Sequence, residues 1–428
     1  MAPRSTVVAW LCIAAVGAAA LAFAAASLQQ DLAAYWIAGK ARWLGLDPYV
    51  SYCGSSVAPR LCDGVSSFRH SRFLYPPLAA ELFRLLAILP YRFAKVLFTA
   101  AAAGSWLLTA RIVARRPAGR RADATAVIIA GALFFPLYLH LERGQIDLLL
   151  LPLVAAAWLR RDRVFVAGGV LVVAATFKPA LLGLLPVMLA LGYRRWALAT
   201  TACAAVAIAA TFAISGPRLV GAYVTDVLPR AALYGEGGTD EMLLHESTVE
   251  EGLEEGDGER VVLDGVSYRV TVPPFDGPAA ASLPRLIAPR SPHWVTSVLP
   301  FAILMTGLAW VARRLPRRSE HDGHHRGGVL DDPVIEESQL LLFSAALVAC
   351  VVTSPTGWVM SFVWALPIAP LVWTSAGRAH LSRRQLGILG AAWISCAVFP
   401  LINGWAAVAG TTLVVALATA ADTWADGS

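Results

Sequence analysis

Apolar positions in this chain come in long unbroken runs, without the strict alternation of strands or the single stripe of a surface helix. Val7–Ala26, Phe93–Arg111, Ala122–His140, Val164–Phe177 and Ala180–Leu191 are the clearest, and similar runs recur towards the end. About 20 predominantly apolar residues cross the hydrocarbon of a bilayer as a helix. The pattern therefore predicts an all-α polytopic membrane protein. Two polar stretches interrupt it at length, residues 27–92 and residues 216–295.

Composition supports that class: 57% of the 428 residues are hydrophobic and 15% charged, against roughly 25% charged in soluble domains. Arginine-rich clusters then set the orientation, because short cytoplasmic loops retain Lys and Arg. They are Arg111–Arg121, Arg160–Arg163, Arg194–Arg195, Arg313–Arg326 and Arg378–Arg384. Two crossings fit between consecutive clusters, which puts all of them on the cytoplasmic side. The formal charge of +6 lies in these loops, so it carries no nucleic-acid signal. Parity requires that Pro76–Pro90 not cross. It has 15 residues, contains Glu81 and Arg84 and is bracketed by prolines, which predicts a helix along the outer interface with its charges on the wet face. The count is about twelve transmembrane helices in the plasma membrane, with both termini cytoplasmic.

Residues 27–92 then form the first extracytoplasmic loop and residues 216–295 an extracytoplasmic inserted lobe. The lobe carries ten carboxylates between Glu236 and Glu259. Asp264-Gly265, set between alternating apolar residues of Val261–Val270, predicts a β-hairpin. Cys53 and Cys62 lie outside, where an oxidising milieu suits a local disulfide; two unrelated thiols are the alternative. The other four cysteines sit in apolar runs as packing residues. His321, His324 and His325 read as a polar linker, and no Cys/His spacing predicts a metal site.

Chemistry concentrates at the predicted outer ends of the runs. Asp31 follows the first run directly, and a carboxylate at the edge of the apolar slab is costly unless a partner or a task retains it. It is a candidate general base; the competing reading is a helix-capping residue. Glu142, Arg143, Gln145 and Asp147 crowd one short turn, more polarity than a connector needs. Lys178-Pro179 occupies the next. That lysine either snorkels to the interface or binds an anion at a helix start.

The order of short motifs resembles glycosyltransferase family 87. An outer acid (Asp31) is followed by Gly45-Leu46-Asp47-Pro48-Tyr49 and by Tyr75-Pro76-Pro77-Leu78. Then come Gly144-Gln145, Lys178-Pro179 and Ser354-Pro355-Thr356-Gly357-Trp358. The likeness spans Leu28 to Leu371. It implies the C-type glycosyltransferase fold, a polyprenyl-phosphate sugar as donor (mannosyl or arabinofuranosyl), and a glycolipid or cell-wall glycan as acceptor. Membrane lipids are the surrounding partners, and no cofactor is expected. By the resemblance Asp31 is the base and the active site is extracytoplasmic. Lys178, Arg143, Gln145, Arg72 and Tyr75 would bind the donor phosphate, and Tyr35, Tyr49 and Trp358 would line the substrate pocket. Many relatives carry histidines directly after the motif tryptophan. Here Val359-Met360-Ser361 stands in that place, so a histidine role does not transfer. A transporter or flippase is the rival reading. It predicts internal repeats and ionisable groups at mid-membrane, whereas the informative polar residues here cluster on one predicted face.

Overall fold

The computed structural model describes residues 4–27, 29–50, 58, 60–65, 71–115, 121–228, 248–251, 259–263, 266–271, 293–315, 333–354, 359–368, 382–398 and 405–426. Helix α1 (Arg4–Ala26) is followed by α2 (Gln30–Trp43), α3 (Pro77–Ala87) and α4 (Tyr91–Val113). A series of short helices comes next: α5 (Arg121–Ala132), α6 (Phe135–Arg143), α7 (Asp147–Leu159), α8 (Val164–Phe177), a 3-10 stretch at Pro179–Leu184, and α9 (Leu185–Ala190). Then come α10 (Arg194–Ser215) and α11 (Pro217–Ala222). The later part of the chain adds α12 (His293–Arg314), α13 (Pro333–Thr353), a 3-10 stretch at Val359–Ile368, α14 (Arg383–Val398) and α15 (Trp405–Asp426).

The chain is a helical membrane protein. α1, α4 and α10 are long and apolar enough to cross a bilayer. α10 turns Val206, Ile208, Phe212 and Ile214 outward, a surface suited to lipid and untenable in water. Among the described residues three helices meet that measure, four if a bent pair counts as one crossing, against about twelve expected, and part of the difference lies between residues 121 and 190. Ala122–His140, expected as one crossing, breaks at Leu133-Phe134 into α5 and α6, which meet at 70°. Pro136 stands in the first turn of α6, where it costs no hydrogen bond but ends the preceding helix. α7 and α8, with 13 and 14 residues, are each only about 20 Å long.

Residues 248–271 contribute a three-stranded antiparallel sheet of order β1-β3-β2, with β1 at Thr248–Glu251, β2 at Glu259–Leu263 and β3 at Val266–Thr271. β2 and β3 flank Asp264-Gly265, with Leu263 opposite Val266 and Glu259 opposite Val270.

Glycine permits the closest packing. A Cβ on Gly168 of α8 would lie 2.9 Å from the Thr200 backbone nitrogen of α10. One on Gly39 of α2 would lie 2.4 Å from the Phe83 carbonyl of α3. The α2–α3 pair is also tied by Trp36 Nε1, which donates to the Leu89 carbonyl at 2.8 Å. Glu81 does not face water as expected. It lies between Arg42 at 2.7 Å and Arg84 at 3.0 Å, its side chain 7% exposed. Leu82, Leu85 and Ile88 take the outward positions instead. Burying the carboxylate between two guanidiniums leaves an apolar outer face on α3.

Gly39→Ala must push α3 off α2. The expected cost is about 1–3 kcal/mol, read as a lower thermal midpoint of the detergent-solubilised protein. An unchanged midpoint would mean that the two helices are free to separate.

Candidate active site

The site begins at the passage from α1 into α2. Gln29 has φ 54°, the left-handed region, the one non-glycine residue with positive φ among those described. That conformation costs about 1–2 kcal/mol and persists only if its surroundings impose it. They do. The Gln29 amide nitrogen donates to Thr99 Oγ1 at 2.7 Å and to the Leu141 carbonyl at 3.0 Å. Tyr91 donates to the Gln29 carbonyl at 3.2 Å. Lys95 donates to the Ser27 carbonyl and Ser27 Oγ to the Glu142 carbonyl, each at 2.7 Å. Five hydrogen bonds with α4 and α6 thus fix where α2 starts, and with it Asp31 in the first helical turn.

The second component is the turn from α6 to α7. Gly144 has φ +70°, and a Cβ there would lie 2.7 Å from Leu32 Cβ and 3.0 Å from Gln29 Cβ. Only glycine satisfies both the left-handed backbone and the direct contact with α2. The residues on either side of it therefore straddle Asp31. Arg143 Nε donates to Asp31 Oδ2 at 3.0 Å, and Gln145 Nε2 donates to the same oxygen at 2.8 Å. Asp31 is 6% exposed, and among the described residues no donor meets its Oδ1. Arg143 also reaches Ser71 Oγ at 3.4 Å.

Gln145 extends the network. Its Oε1 accepts from Tyr35 at 3.1 Å, which fixes the orientation of the amide and leaves Tyr75 to donate to Tyr35 at 2.8 Å. Burial pushes the Tyr75 phenol up to about 12, so it remains a proton donor at neutral pH. Tyr35 stacks on Phe83, with ring centres 4.7 Å apart. Tyr49 donates to the Tyr75 carbonyl at 2.8 Å, while Asp47 Oδ1 accepts from the Tyr49 backbone at 2.9 Å. The Asp-Pro-Tyr turn thereby holds the 71–76 segment in place.

Lys178, at the end of α8, neither snorkels nor stands free. Its ammonium lies 3.3 Å from Asp147 Oδ2. Trp364 Nε1 donates to Asp147 Oδ1 at 2.8 Å. Both Asp31 and Tyr75 lie within electrostatic range of Lys178. His140, fully buried, accepts the Leu148 N–H at Nε2 at 2.8 Å. That bond makes Nδ1 the protonated nitrogen and closes the turn from behind.

Most of the residues expected at the site therefore come together: Asp31, Arg143, Gln145, Tyr35 and Tyr75 share one hydrogen-bond network, with Tyr49 supporting it, and Lys178 pairs with Asp147 within electrostatic range of it. Arg143 and Gln145, expected on a phosphate, both donate to the acid in this structure. Arg72 is half-buried beside Ser71. Cys62 is disulfide-bonded; Cys53 and Trp358 lie outside the described residues. Sequence reasoning passed over Asp147 as a partner of Lys178, and Trp364 altogether. The only local signal was the excess polarity of the 142–147 turn.

The helix ends of this membrane protein thus gather two carboxylates, an arginine, a lysine and a tyrosine pair. Residues 73–245 match the model of glycosyltransferase family 87, the family the motif order resembles, and the match supports a glycosyltransferase as the functional class. No curated protein matches the chain. Tyr75, Arg143, Gln145, Asp147 and Lys178 lie inside the matched region, whereas Asp31 and Trp364 reach the site from outside it.

Gly144→Ala should separate Arg143 and Gln145 from Asp31 without removing any functional group. The expected outcome is about a 10²-fold loss of glycosyl transfer with helical circular dichroism retained. Full activity in that variant would show that the turn need not touch α2.

Proposed function

We propose that this protein transfers a glycosyl residue, mannosyl-type favoured over arabinofuranosyl, from a polyprenyl-phosphate donor to a glycolipid or cell-wall glycan. It acts at the extracytoplasmic face of the plasma membrane. The reading includes the C-type fold with about twelve crossings and both termini cytoplasmic. The observation that carries it is the state of Asp31: one carboxylate oxygen is anchored by two donors, the other is left without one, and a lysine stands within electrostatic range.

Such a carboxylate is oriented and has one oxygen left to accept a proton. An acceptor hydroxyl at Oδ1 gives up its proton as its oxygen attacks the anomeric carbon. The bond from that carbon to the phosphate oxygen breaks, and the polyprenyl phosphate departs with the electron pair. The leaving group needs positive charge and hydrogen-bond donors more than it needs an acid. Lys178 supplies the charge, with three N–H donors. Arg143 and Gln145 orient the base, a role distinct from holding phosphate.

Asp31→Asn retains the shape of the side chain and an oxygen that can accept the Gln145 hydrogen bond, but removes the basic oxygen. Transfer from a polyprenyl-phosphate sugar should fall by at least about 10²-fold, with insertion and thermal stability preserved. Turnover near the wild-type rate would assign the base role elsewhere. Assaying membranes with a panel of labelled polyprenyl-phosphate sugars identifies the donor.

A further inference from the structure

Asp147 does not do what an aspartate at a helix start ordinarily does. It occupies the first turn of α7, yet the residue in the capping position is Ile146, and no side chain caps the helix from there. The Leu148 N–H, one of the donors a first-turn carboxylate could take, goes to His140 at 2.8 Å. Both Asp147 oxygens are engaged from other elements: Oδ1 by the Trp364 indole at 2.8 Å, Oδ2 by the Lys178 ammonium at 3.3 Å. Its side chain is 1% exposed, against 20% for that of Lys178. The ammonium therefore rests against a buried carboxylate, while a fifth of the lysine side chain stays exposed.

An ammonium has three N–H donors. The carboxylate behind it holds the ammonium by charge, at 3.3 Å and without hydrogen-bond geometry, so the N–H donors stay available to an anion. A buried carboxylate without full compensation is costly, so the Trp364 hydrogen bond is what lets Asp147 stay in place. We propose that Asp147 is the positioning residue of the donor site. Held by Trp364, it fixes the Lys178 ammonium where the donor phosphate binds. Affinity for a polyprenyl phosphate then depends on an indole that does not touch it. This rests on the reading that Lys178 receives that phosphate, and the test separates the two.

The experiment measures binding of undecaprenyl phosphate to the full-length protein in nanodiscs, together with KM and kcat for the donor. Lys178→Met tests the underlying reading and should weaken binding by about 10–100-fold, the scale of charged hydrogen bonds. Trp364→Phe removes the indole N–H while keeping an aromatic ring and every charge. It should weaken binding and raise the donor KM by about tenfold, with kcat within about twofold and the thermal midpoint near wild type. Asp147→Asn should weaken binding in the same direction, with partial recovery in Asp147→Glu. Wild-type binding by Lys178→Met would remove the phosphate site itself. Lost binding in Lys178→Met with no change in Trp364→Phe overturns the positioning role alone. Tighter binding in Asp147→Asn also overturns it, since Asp147 would then compete with phosphate for the lysine. A fall in kcat at constant KM in Trp364→Phe assigns the indole to structure only.

Discussion

Backbone contact at Gly144 is the constraint on which the site depends. α2 and the α6–α7 turn meet with no side chain between them, and any Cβ at that point would overlap Leu32. Because the two segments touch there, their flanking side chains have one place to go. Arg143 and Gln145 close on the carboxylate of Asp31 from both sides. The strained Gln29 belongs to the same arrangement, since its left-handed turn delivers α2 to the contact. A helix start displaced by even an ångström would leave a charge buried without its partners, and that costs more than the strain does.

Electrostatically the centre is built from two ion pairs, Asp31 with Arg143 and Asp147 with Lys178. In each, the acid is more buried than the base, so the open edge is basic while the cluster stays neutral. This division suits a site that must admit an anion on one side and accept a proton on the other. The tyrosines between the two pairs add donors without adding charge. Tyr75, held protonated by burial, is linked to the Asp31 pair through Tyr35 and Gln145.

Much of this could be read from the sequence, for physical reasons that differ residue by residue. The long apolar helices α1 and α4 announced themselves by composition, since hydrocarbon-spanning segments need little beyond length and apolarity. Asp31 and Lys178 stood out because charge at the end of an apolar run is costly. Pro77 marked the start of α3 because a first-turn proline loses no hydrogen bond. What stayed hidden was pairing. The 142–147 turn revealed an excess of polarity, but the side chains reach their partners through contacts made by Gly144, whose neighbours are more than a hundred residues away. The broken helix at Leu133-Phe134 was concealed in another way, because hydropathy measures apolar length and is blind to a 70° bend. Trp364 was illegible: it is an apolar residue in an apolar run until its indole finds Asp147.

That last contact joins positions 217 apart in the chain. During synthesis, Asp147 and Lys178 enter the bilayer long before their indole donor exists. Until the ribosome has produced the segment around Trp364, the pair is a buried charge couple lacking one of its supports. Completion of the centre is thus deferred to late biogenesis, and a nascent chain halted earlier would carry the matched family region with an unfinished active site.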